Sequence, residues 1–150
     1  MKNIFILLPH KDQFIKSYSG SASIWVKDFY MVSKFKKIIT VFGSTKKLSD
    51  IIDKKIYKNL SIPNIKYGSR TKIYVNKFKK YVLTKKPSII EIHNRPTYLL
   101  ELYKINKKAN YILIIHNDPQ NLKGSSSIVE RENILKICKF IYFYTSHSVI

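Results

Sequence analysis

The chain has 150 residues, carries a formal net charge of +19 and is 45% apolar, so it is long enough to bury a real core. No run of about 18 apolar residues occurs, which excludes a membrane-spanning helix of ordinary length. A single cysteine, Cys138, excludes an intrachain disulfide and fits a reducing compartment.

The charge invites a nucleic-acid or anionic-membrane reading. It is spread evenly, however: 15 of the Lys and Arg residues fall in 1–75 and 13 in 76–150. Only Arg70, Arg95 and Arg131 are arginines, whereas base and phosphate recognition favours Arg forks. Lys, Ile, Asn and Tyr supply 70 of the 150 residues, the bias expected of an AT-rich coding sequence. A solvated basic surface with a weak attraction to anionic headgroups is therefore expected, and no specific nucleic-acid partner.

In chain order, Asn3–Leu8 is a continuous apolar run and reads as a buried strand. The run is too short for a secretory signal, and Pro9-His10-Lys11-Asp12 follows it in place of a cleavage site. A polar loop over 9–19 leads to a helix capped by Ser19 or Ser21, with Ala22, Trp25, Val26, Phe29 and Val32 on one face. Lys37–Phe42 reads as the second strand, Lys46–Asp53 as a short helix, and 54–67 as a short edge strand plus a loop around Pro63.

Ser69 opens a helix whose stripe is Tyr74, Val75, Phe78, Tyr81 and Val82. Ile89–Ile92 reads as a strand, and a helix from Pro96 to Lys107 buries Tyr98, Leu99 and Leu102. Tyr111–Ile115 is the next strand. Ser125–Cys138 reads as a helix with Ile128, Ile134, Leu135 and a buried, inert Cys138 inward, and Phe140–Tyr144 as a last strand. Strands alternating with helices predict an α/β, Rossmann-like parallel sheet with helices on both faces. The sequence stops where another helix is expected to begin, so the reading predicts the truncated half of a larger architecture.

Two stretches repeat one pattern: Ile90-Glu91-Ile92-His93-Asn94-Arg95-Pro96 and Leu113-Ile114-Ile115-His116-Asn117-Asp118-Pro119. In each, an apolar run stops at His-Asn, followed by a charged residue and Pro, which suits a helix start and not a central strand. Ligands of open α/β sheets bind at the carboxyl ends of strands, so His93 and His116 are expected at one functional edge. His titrates near neutrality, Asn reads a hydroxyl both ways, and Arg95 can clamp a phosphate or carboxylate. Asn94 also suits a helix cap. His116 beside Asp118 suits acid–base work or a polar substrate contact.

The small-residue turn Ser19-Gly20-Ser21-Ala22 can present free N–H groups at a helix start, although the dinucleotide fingerprint is absent. His93, His116 and Asp118 could together be metal ligands, but the Asp-x-His expected of a metallophosphoesterase is absent near the N-terminus, and no metal is expected.

Taken together, these segments resemble the N-terminal domain of GT-B glycosyltransferases of the family 4 type. The resemblance rests on the apolar first strand, the small-residue loop into a helix with Trp25-Val26-Lys27-Asp28, the two His-Asn motifs, Glu130-Arg131, and a strand ending near Ser146. It implies hexosyl transfer from a nucleotide-sugar to a cell-envelope polysaccharide or lipid-linked acceptor, in the cytoplasm or at the inner face of the plasma membrane. This chain would be the acceptor-binding domain. No cofactor beyond the donor substrate is implied, and the donor would be held mainly by a second domain.

By the same resemblance His116 lies near the reacting groups, while Gly20, Ser21, His93, Asn94, Arg95, Asn117 and Asp118 line the acceptor side. Ser21 and Ser23 replace a glycine and an acidic residue of the family's Gly-Gly-Ala-Glu loop. Glu130 and Arg131 match a pair for which a structural role is equally expected. Alone, the chain would bind nucleotide-sugar poorly and show no transfer. Two other classes remain: a basic nucleic-acid-binding protein, and a metal-dependent hydrolase using His93, His116 and Asp118.

Overall fold

A computed structural model describes residues 3–17 and 19–144. Six strands, β1 (Ile4–Leu7), β2 (Ile39–Gly43), β3 (Tyr57–Asn59), β4 (Ile89–His93), β5 (Asn110–Ile115) and β6 (Cys138–Phe143), form one sheet. Every pairing is parallel and the order is β3-β2-β1-β4-β5-β6. The fold is α/β and Rossmann-like. The order reverses between β1 and β4, and at such a switch point the loops diverge and leave a crevice at the carboxyl ends.

Helices cover the two faces unequally. On one face α2 (Arg70–Lys85), α3 (Pro96–Tyr103) and α4 (Ile128–Ile137) enclose a core that includes Phe5, Leu7, Phe42, Phe78, Ile92, Leu99 and Leu113. On the other, α1 (Ser21–Val32) and the loop carrying Phe14 cover Ile4, Ile6, Leu8, Ile39 and Val41. Alternate residues of a strand point to opposite faces. Ile90 and Ile92 of β4 therefore enter the first core, and Glu91 and His93 lie under α1.

Local chemistry accounts for the helix ends. The Ser69 hydroxyl accepts from the Lys72 N–H and starts α2, and Lys86 closes it in the left-handed region at φ 45°. Pro96 fills the first turn of α3, where its missing N–H costs nothing. Ser127 and Glu130 form a reciprocal capping box on α4.

Several expectations need correction. The helix expected over 46–53 is one 3-10 turn, Leu48–Asp50. The third helix stops at Tyr103, and the fourth starts at Ile128, where the capping box sits, not at Ser125. Val32, Ile128 and Leu135 are exposed, as is Tyr81 more marginally, although each had been placed on an apolar stripe. Cys138 begins β6 and does not lie in a helix; it is half-buried, and burial pushes its thiol up to about 12, which disfavours the reactive thiolate. Among the described residues no helix is long and apolar enough to cross a membrane.

Candidate functional site at the carboxyl edge

The ends of β4 and β5 are adjacent, with His93 level with Ile114, so His116 lies two residues beyond that level. His93 is fully buried beneath α1, where the edge of the Trp25 indole meets its ring at 5.3 Å. Its Nε2 lies 2.8 Å from Oε1 of Glu91, the residue two positions earlier on the same face. Its Nδ1 lies 2.9 Å from Nε2 of His116, and the two imidazoles stack at 5.2 Å. Glu91, His93 and His116 thus form one hydrogen-bonded chain from the sheet interior to its edge.

The terminus of that chain is unusual. Nδ1 of His116 is buried and has no hydrogen-bond partner among the described residues. A carboxylate only accepts, so His93 donates from Nε2 to Glu91. With His93 neutral, its Nδ1 is a lone pair and takes the Nε2–H of His116. That leaves a bare lone pair at Nδ1 of His116, an orphan acceptor, which is less costly than an orphan N–H.

His116 is held well below the usual histidine range, at about 4: burial is the main cause, charge on His93 adds to it, and Asp12 opposes it. The ring is therefore neutral at physiological pH. A proton taken at Nδ1 need not stay there. It can displace the Nε2 proton onto His93, whose imidazolium would face Glu91 directly.

Each residue singled out in the sequence has a definite place. Asn94 is buried in the left-handed region at φ 51°, which Asn tolerates better than most residues. Its Oδ1 accepts from the His116 N–H at 2.7 Å, and its own N–H donates to the Ile114 carbonyl. Asn94 therefore ties the two strand ends together and does not cap α3. Arg95 turns back to the Asn94 carbonyl and lies toward His10, whose pKa it helps to lower.

Asp118 caps the turn Pro119–Asn121 through the Gln120 N–H and the Asn121 amide. Asn117 is exposed on the rim. Arg131 donates to the Ser125 and Ser126 carbonyls, and Glu130 completes the cap of α4, which favours the structural role for that pair. Ser146 lies outside the described residues.

The turn before α1 differs from expectation. The Asp12 carboxylate accepts from the N–H groups of Gly20 and Ala22, at 3.0 and 3.2 Å, and from the Ser23 hydroxyl at 2.7 Å. The chain itself supplies the anion at this helix start, and Gly20 and Ala22 do not present free N–H groups. A Cβ on Gly20 would meet Asp12 Oδ1 at 2.5 Å, so a larger residue here would have to displace the Asp12 carboxylate from its cap. Ser21 remains exposed and faces an open groove.

That groove, about 730 Å³, is lined by Ser21, Trp25, Phe29, His116, Asn117 and Tyr144 among others. Trp25 stacks on Phe29 at 5.3 Å, and Tyr144 lies 5.7 Å from the His116 ring. Flat aromatic surface beside an imidazole suits a ligand with an apolar face and polar groups. Both nitrogens of His93 are taken and Asp118 is engaged in its turn, so these residues do not converge with His116 as a ligand set. Among the described residues no group of three His, Cys, Asp or Glu side chains is arranged to hold a metal ion.

Glu91 and Asp12 were not anticipated. The signal for Glu91 was legible: a carboxylate inside an otherwise apolar strand, two residues before a histidine, shares its face. Asp12 gave no comparable signal, because its partners lie eight to eleven residues away across an irregular loop. No protein-family model and no curated protein matches the chain.

Proposed function

We propose that the chain is the acceptor-binding half of a GT-B-type glycosyltransferase, in which the groove beside α1 holds a sugar hydroxyl against His116. The observation that carries the reading is the Glu91–His93–His116 chain, whose last ring lines the groove and carries a buried Nδ1 without a partner among the described residues. The hydroxyl donates its hydrogen bond to Nδ1. As the oxygen bonds to the donor's anomeric carbon, that carbon's bond to the nucleotide oxygen breaks and the nucleotide leaves with the electron pair; the hydroxyl proton passes to Nδ1, and the Nε2 proton moves to His93 beside Glu91. The groups form a relay because each hydrogen bond is already in place. Trp25 and Phe29 supply a stacking surface for the sugar ring, and Ser21 and Asn117 rim hydrogen bonds.

The reading is tested on the chain itself. Trp25 is the only tryptophan and touches both His93 and the groove, so its fluorescence reports occupancy. Titration with a panel of methyl hexosides should give a saturable change for at least one of them. His116→Ala should weaken that binding about tenfold, consistent with loss of one hydrogen bond in a partly buried site, with unchanged circular dichroism. If no sugar perturbs Trp25, or if the variant binds as well as the parent, the assignment fails. A basic nucleic-acid-binding role would instead give tight polyanion binding with a steep salt slope.

A further inference from the structure

A second cavity, about 510 Å³, opens on the same carboxyl edge at the ends of β1 and β2. Lys11, Lys46, Lys47 and Arg70 line it, and no carboxylate does. None of these four cations forms a salt bridge among the described residues. Asp12 caps α1, and Asp50 accepts from the Ser17 N–H and hydroxyl while also feeling the charge of Lys47.

The floor is fixed. Thr45 donates its N–H to Asn59 Oδ1 at 2.9 Å and accepts from Asn59 Nδ2 at its carbonyl, and its hydroxyl donates to Gln13 Oε1 at 2.9 Å. The loop carrying Lys46 and Lys47 is thereby stapled to β3 and to the loop after β1. Arg70 donates to Asn64 Oδ1 at 3.4 Å, and both line the cavity. The field they create is felt by His10, which also lines the cavity: burial lowers its pKa most, and Arg95, Lys11 and Arg70 lower it further. Like charges held around one concavity with no carboxylate in its lining repel one another and favour an anion between them.

We propose that this cavity is a phosphate-binding site, taking a phosphomonoester or diphosphate group. Its size lies within the range of about 300–1,000 Å³ usual for small-molecule sites. The assignment of that phosphate to an acceptor rests on the transferase reading; the site itself stands on the cavity and its charges. An acceptor spanning the edge would place its phosphate here and its reacting hydroxyl at His116.

Calorimetric titration of the chain with inorganic pyrophosphate at low ionic strength tests the site. Saturable one-to-one binding is expected, weakened about tenfold by Lys46→Ala/Lys47→Ala and comparably by Arg70→Gln. Lys80→Ala/Lys85→Ala removes the same charge from a neighbouring groove on α2 and should leave binding within about twofold. Non-saturable binding, or equal weakening by both double variants, would overturn the site in favour of diffuse surface charge. Displacement of bound pyrophosphate by phosphatidic acid vesicles would support a lipid headgroup as the source, and its absence a soluble phosphate; each presupposes the site. Failure of sugars to perturb Trp25 would remove the transferase reading and leave this site intact.

Discussion

The two His-Asn stretches share letters and spacing, yet they occupy opposite environments. His93 and Asn94 are buried, with their ring nitrogens and amide oxygen bonded inside the protein. His116 is half-buried with one nitrogen unpartnered, and Asn117 and Asp118 face solvent. The difference follows from position. β4 lies between β1 and β5 and beneath α1, whereas β5 lies between β4 and the edge strand β6 and contributes nothing to the core under α1. A short motif thus has no fixed role; its place across the sheet decides whether it builds the site or meets the ligand.

That contrast can be broken by paired substitutions. His93→Ala should cost about 3–5 kcal/mol, because it opens a cavity and leaves Glu91 buried without its partner. His116→Ala should cost about 1 kcal/mol or less, since water can reach the vacated edge. Urea denaturation at pH 7 checks both, and equal losses would erase the distinction. A smaller gap is expected between the asparagines. Asn94→Ala loses the bond to the His116 N–H and puts alanine at positive φ, for about 2 kcal/mol, while Asn117→Ala should stay within about 0.5 kcal/mol. Asp118→Ala is expected to cost about 0.5–1 kcal/mol through the lost turn cap while leaving groove binding unchanged.

The parallel sheet was readable from sequence because apolar strands alternated with amphipathic helices, and each buried strand had only one plausible partner class. The fourth helix was misread because Ile128 and Leu135 have helical spacing but no layer above them to pack against; the capping box at Ser127 and Glu130 was the better boundary signal. His116 and His93 were found from the motif. Their direct hydrogen bond was not, because it depends on the register of β5 against β4. Glu91 was legible as a lone carboxylate in an apolar strand two residues before His93, whereas Asp12 was hidden because its partner set is assembled only in three dimensions.

The central claim is that His116 is neutral, with its proton on Nε2 and a bare lone pair on Nδ1. Its sign can be stated. A histidine whose folded pKa is lowered binds fewer protons folded than unfolded, so stability falls as pH drops from about 6.5 toward about 4 and is insensitive to this group above that window. The most direct measurement is long-range ¹H–¹⁵N NMR of the imidazole nitrogens of His116 across that range. The account predicts an Nε2–H tautomer with an unprotonated Nδ1 at pH 7 and protonation only well below pH 6. An Nδ1–H tautomer at pH 7, or an ordinary midpoint near 6.5, would contradict it.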